Sequence, residues 1–201
     1  MVIVPLHSLV VMVGPSGAGK STFIESNFPQ HEVVSTDAIR RELTGDIRNQ
    51  HVNDAVYREF RHRIKTKLAI GERVVADATH IKKEDRLETA GIGVDAHVPV
   101  FYVVVDRPLD EKLADGGWRL NEFIKHKNLI EAHHDIFMMN QNAILSGDNG
   151  LVSKVIDTRT FEKLHVIKKF NFDNIEQDIR DRGFEKITVI GDVHGMIDDF
   201  N

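Results

Sequence analysis

The chain has 201 residues, a formal net charge of −5, 41% hydrophobic residues and no cysteine. That is enough apolar material for one ordinary core, and it excludes a disulfide framework, a thiolate zinc site and a compositionally disordered chain. Bulk attraction to nucleic acid is excluded too, so any such binding has to rest on a local surface. No apolar run approaches the roughly 20 residues of a membrane helix, and the N-terminus lacks the features of a signal peptide. With no cysteine to oxidise, a cytoplasmic protein without membrane contact is expected.

Strand and helix patterns alternate along the chain. Leu9–Val13 is an apolar run that stops at Gly14. The segment Gly14-Pro15-Ser16-Gly17-Ala18-Gly19-Lys20-Ser21-Thr22 then fits the phosphate-loop pattern without a mismatch, and a helix over Lys20–Asn27 follows. Strand, loop and helix in register are the context this motif requires. Glycines let the backbone curl into conformations closed to other residues, so its N–H groups form an anion nest at the helix N-terminus. Lys20 is expected to reach the β- and γ-phosphates of a nucleoside triphosphate, and the Ser21 hydroxyl to coordinate Mg²⁺.

A second strand is expected at Glu32–Ser35, with a short helix over Asp37–Leu43. Val52, Val56, Phe60, Ile64 and Leu68 recur every four residues and define an amphipathic helix stopped at Gly71. Its basic residues, Arg58, Arg61, Arg63, Lys65 and Lys67, read as a solvated face rather than a nucleic-acid track. Further strands are expected at Arg73–Ala76, Val98–Val105 and Leu151–Ile156. Helices are expected at Lys82–Ala90 with a stop at Gly91, at Pro108–Asp115, and from Phe123 to Ile144. His133 and His134, in the last of these, read as packing or surface. The pattern implies an α/β fold of the P-loop NTPase and kinase type, with about five parallel strands, flanking helices and a helical lid. The first domain is expected over residues 1–160 and a linker with the start of a second over 161–201.

Asp37 follows the second strand at the edge where ligands bind. A carboxylate there can take the proton of an attacking hydroxyl, or it can cap the next helix. Arg40 lies one turn on and can bind an acceptor phosphate. Asp77, after the third strand, can position Mg²⁺ through water.

These motifs resemble the kinase domain of bacterial polynucleotide kinase-phosphatases and, more distantly, the phage polynucleotide 5′-kinases. The resemblance covers most of residues 8–158. It rests on the phosphate loop, on Asp37-Ala38-Ile39-Arg40, on Asp77-Ala78-Thr79-His80 and on the region from Asp106 to Arg119. It implies that ATP is the donor, that a 5′-OH polynucleotide (RNA or DNA) is the acceptor, and that Asp37 is the base. Arg40 then grips the acceptor phosphate with help from Gln50, and Arg119 closes over the donor phosphates from the lid. Two departures stand out. His80 replaces an asparagine, and Asp115 stands where a first lid arginine is expected, with Arg107, Lys112 and Lys125 as nearby cations. Ile190-Gly191-Asp192-Val193-His194-Gly195 resembles the first motif of calcineurin-like metallophosphoesterases. Asp192 and His194 would bind metal there only as part of a complete phosphatase domain. The other classes weighed are a P-loop kinase of a small-molecule hydroxyl and a nucleotide-binding module without transfer activity.

Overall fold

Strand β2 (Leu9–Val13) is buried along its whole length, which requires cover on both faces. In the computed structural model, which describes residues 2–46, 49–115, 120–160 and 164–166, it is the central strand of a five-stranded sheet. Its neighbours are β3 (Val33–Ser35), β4 (Val74–Asp77), β5 (Val100–Val104) and β6 (Lys154–Asp157), in the order β3-β4-β2-β5-β6, all parallel. The expected five-stranded parallel α/β sheet is therefore present. A separate pair, β1 (Val2–Val4) and β7 (Leu164–Val166), also runs parallel.

Alternate residues of β2 serve different cores. Leu9, Val11 and Val13 pack with Val56, Phe60, Ile64 and Leu68 of α3 (Asn53–Ala69). Ala90 and Ile92 of α4 (Lys83–Asp95) share that core with Phe137 and Ile144 of α6 (Leu120–Leu145). Val10 and Met12 face the other way, toward Ile24 and Phe28 at α1 (Lys20–Asn27). The shorter helices are α2 (Thr36–Thr44), α5 (Leu109–Asp115) and the single turn α7 (Gly147–Gly150). The four-residue period read along 52–68 thus marks the buried stripe of α3.

Helix α4 corrects the sequence reading, because it runs through Gly91 to Asp95. Gly93 lies against the sheet, where a Cβ would fall 2.5 Å from Val100 Cγ2. Glycine here permits close helix–sheet packing instead of ending the helix. On α3, Arg61 pairs with Glu88, Arg63 with Glu42 and Glu59, and Lys67 with Glu72. That pairing fits the solvated face expected there. Among the described residues no helix is long and apolar enough to cross a membrane.

The chain divides into two compact units, Met1–Ile167 and Lys168–Asn201, and every described residue belongs to the first. Arg119, Asp192, His194 and the side chains of Gln50, Asp115 and Lys125 lie outside the described residues.

A buried ion pair ties the distal elements to the sheet. Arg86 of α4 donates from Nε and Nη2 to both oxygens of Asp148, 2.9 Å each, and Tyr102 of β5 donates to the same carboxylate at 2.9 Å. Arg86 Nη1 reaches the carbonyls of His80 and Ile81 at 3.2 and 2.9 Å. Replacing Asp148 by Ala leaves the Arg86 cation buried and uncompensated, a loss expected at about 3–5 kcal/mol. Denaturant unfolding checks this, with Arg86→Met/Asp148→Leu expected to lose less than the single variant.

Candidate active site

The chain leaves β2 and turns at Gly14, whose N–H donates to Thr79 O at 2.9 Å. A Cβ on Gly14 would lie 2.1 Å from the Val105 carbonyl oxygen, so glycine is needed there for space. Gly19 is needed for its backbone, because φ is +94° where the chain enters α1. The first N–H groups of α1, together with the positive end of its dipole, are left for an anion. Ala18 is buried within the loop, whereas Ser21 and Thr22, in the first turn of α1, are exposed.

Lys20 folds back over this loop. Its half-buried Nζ donates to the carbonyls of Gly14 and Pro15, 2.9 Å each. Desolvation lowers its pKa to about 8, with Asp77 and Asp37 opposing the shift and Lys112 adding to it. The cation therefore sits in the field of two carboxylates, Asp77 at the end of β4 and Asp37 in the first turn of α2.

Those carboxylates stand side by side at the strand ends, since Ser35 at the end of β3 pairs in register with Asp77 at the end of β4. Burial raises the Asp77 pKa, while Lys20 and a hydrogen bond from Ser35 oppose the shift. Ser35 is also the N-cap of α2, accepting from the Ala38 N–H at 3.5 Å. Asp37 is thus released from the capping role its position allowed. Its side chain is 68% exposed.

Arg40 is placed differently from an open clamp. It is buried, at 5% exposure, with Nη1 on the Asp37 carboxylate and Nη2 on Asn53 Oδ1 at 3.1 Å. In this structure it braces Asp37. Asn53, the first residue of α3, is a partner that the sequence did not signal. Gln50 lies in a 3₁₀ turn, Gln50–Val52, directly before it.

His80 explains one departure from the resemblance. Its φ is +47°, in the left-handed region where asparagine is favoured and histidine is tolerated. The buried ring joins Met12 O at 2.8 Å to Thr89 Oγ1 at 3.1 Å, and burial lowers its pKa to about 4. A neutral ring donating from Nδ1 and accepting at Nε2 satisfies both contacts. It fastens the 77–80 turn to β2 and α4.

On the opposite flank, Arg107 Nε donates to Gly17 O at 2.7 Å. Lys112 is fully buried, with Nζ on Asp106 and on His134 Nδ1 at 2.8 Å. It is held inside the root of α5 instead of projecting as a lid cation. Ser16 Oγ lies 2.8 Å from His133 Nδ1, so the histidine pair of α6 reaches both the phosphate loop and α5.

Among the described residues no group of three or more His, Cys, Asp or Glu could hold a metal ion. Ser21 in the first turn of α1 and Asp77 at the end of β4 are oxygen donors of the kind Mg²⁺ takes.

A family model described as an AAA domain matches residues 9–115, from the start of β2 to the end of α5. The chain belongs to this AAA-domain family. Among solved structures, the AAA-domain chain is similar to one in the Pnkp1/Rnl/Hen1 RNA repair complex, with 19% identity and a TM-score of 0.55. That match covers 68% of this chain and 46% of the other, so the chain spans about half the length of the one it matches. Shikimate kinase from Acinetobacter baumannii matches at 14% identity and a TM-score of 0.44, covering 88% of this chain and 90% of that one. The APS kinase CysC of Mycobacterium tuberculosis matches at 17% identity and a TM-score of 0.38, covering 89% and 98%. At 19% identity the likeness to the RNA repair complex chain is one of fold. A comparison with curated proteins gives no match.

An anion in the loop should restore the proton that desolvation removes from Lys20. Above pH 8, binding of ATP is therefore expected to take up a proton, and affinity should fall by up to about tenfold per pH unit until the pKa of the bound state is reached. Calorimetry in buffers of different ionisation enthalpy measures the uptake. It should be lost in Lys20→Arg, whose guanidinium stays charged.

Proposed function

We propose that the protein is an ATP-dependent polynucleotide 5′-hydroxyl kinase acting in nucleic-acid end repair. The observation that carries this reading is the Asp37 carboxylate. It is exposed, braced by a buried arginine, and close enough to the phosphate-loop lysine to influence its charge. The Asp-x-x-Arg spacing and the fold shared with a chain of an RNA repair complex support a polynucleotide as acceptor.

The residues divide the work. Gly14, Ser16, Gly17, Ala18, Gly19, Lys20, Ser21 and Thr22 form the donor site, where loop N–H groups take the phosphates and Lys20 neutralises charge on the β- and γ-groups. The 5′ oxygen attacks the γ-phosphorus, its proton passes to Asp37, and the bond to the β,γ-bridging oxygen breaks to leave ADP. Arg40 holds Asp37 and, with Gln50, meets the phosphate of the acceptor nucleotide. Arg119 adds positive charge from the lid. Mg²⁺, when bound, offsets charge on the β- and γ-oxygens. Residues 161–201 are, in this proposal, a linker and the first motif of a metallophosphatase domain, in which Asp192 and His194 would bind metal only if that domain were complete.

Labelled ATP, offered with a 5′-OH oligonucleotide or with a panel of small alcohols, tests the reading. Label is expected on the oligonucleotide. Transfer only to a small alcohol would identify a small-molecule kinase, and ATP binding without transfer a nucleotide-binding module. Asp37→Ala is expected to lower kcat by about 10²–10⁴-fold, and near-normal turnover would remove the base assignment. Lys20→Ala should abolish transfer. Arg40→Ala should lower kcat and raise the acceptor KM together, because it frees Asp37 as well as the acceptor phosphate.

A further inference from the structure

We propose that His133 is a donor-phosphate ligand: Nδ1 holds the Ser16 hydroxyl, and Nε2 is presented to the terminal phosphate of a bound nucleoside triphosphate. This rests on the donor site proposed above and adds a residue from α6 to it.

The geometry begins with the 2.8 Å contact between His133 Nδ1 and Ser16 Oγ, which sets an imidazole beside the phosphate loop. The ring's direction is fixed by its own helix. Ile130 and Phe137, three residues before and four after, are buried at 4% and 0% exposure. Residues at those spacings share a helix face, so His133 lies on the inner side of α6. The next residue, His134, is held independently by Lys112 at 2.8 Å. Two adjacent side chains on two separate partners leave the helix little freedom to turn.

The remaining ring nitrogen, Nε2, has no protein hydrogen bond among the described residues, whereas both nitrogens of His80 are engaged. Desolvation lowers the His133 pKa, and the charges acting on it are the cations Lys20 and Lys82. The ring is therefore neutral at pH 7 in the empty site. With Nδ1 accepting from the Ser16 hydroxyl, its proton sits on Nε2 as a donor. Lys20, whose reach is to the β- and γ-phosphates, marks the part of the donor that shares this space.

The test is nucleotide binding with Mg²⁺ and no acceptor, measured by calorimetry for ATP and for ADP. His133→Leu keeps bulk and removes the donor, so ATP is expected to bind at least about tenfold more weakly and ADP to change less than about threefold. His133→Gln, which can accept from Ser16 and donate to phosphate, should restore ATP to within about threefold. Equal weakening of ATP and ADP would indicate mere support of the loop and overturn the proposal, as would ATP affinity unchanged in His133→Leu. If His133→Leu does not melt cooperatively, Ser16→Ala frees the ring and is read by the same two ratios. Wild-type protein that binds ATP but phosphorylates no 5′-OH end would sink the kinase reading and leave this one standing. Wild-type protein that binds neither nucleotide would sink both.

Discussion

Gly14 and Val105 are the closest approach on which the rest of the site depends. The loop backbone passes so near the end of β5 that a single added carbon would lie 2.1 Å from the Val105 carbonyl oxygen. The same residue donates its N–H to Thr79, in the turn after β4. The loop therefore starts wedged between the carboxyl ends of the two strands that flank β2. Its path, and with it the position of Lys20, follows from sheet register more than from the loop's own preferences. Methyl-sized overpacking in a core costs roughly 1–3 kcal/mol, and backbone on the opposing side leaves little room to relax.

Around that fixed loop the charges form a mutually dependent set. Lys20 is short of water, which favours its neutral form, and Asp77 and Asp37 partly restore the charge. Asp77 is itself pushed toward its neutral form by burial and held back by Lys20. Each group's ionisation depends on a neighbour carried by a different strand or helix, so the parallel sheet brings together charges that no local segment could. Arg40 braces one of these carboxylates, with Nη1 on Asp37 and Nη2 on Asn53. An exposed carboxylate held by a buried guanidinium keeps its direction while remaining open to a ligand.

Much of this was legible in the sequence wherever the information is local. The phosphate loop could be read because its glycines, lysine and hydroxyl occupy neighbouring positions with a strand before and a helix after. The α3 stripe could be read because one period spans the whole helix. Long-range contacts were not legible. Gly91 read as a helix stop, whereas α4 runs on to Asp95 with Gly93 packed against Val100. Asp37 stood where a helix cap could be, and only the structure shows Ser35 capping α2 instead. The pairing of β1 with β7 joins segments more than 150 residues apart, and nothing in either announces the other. Lys112 read as a spare cation near the lid, and only tertiary structure shows it buried against Asp106 and His134.

The site has two flanks, one on either side of the loop. On one, α2 and α3 supply Asp37, Arg40 and Asn53. On the other, Arg107 just before α5, Lys112 on it, and His133 and His134 of α6 stand together. Lys20 is the group that feels both, through Asp37 and through Lys112. Substitutions on the two flanks should thus act on different partners of a reaction and combine nearly additively, since additivity fails chiefly where residues share a contact. Lys20 is the exception by construction, because its charge state responds to both flanks at once.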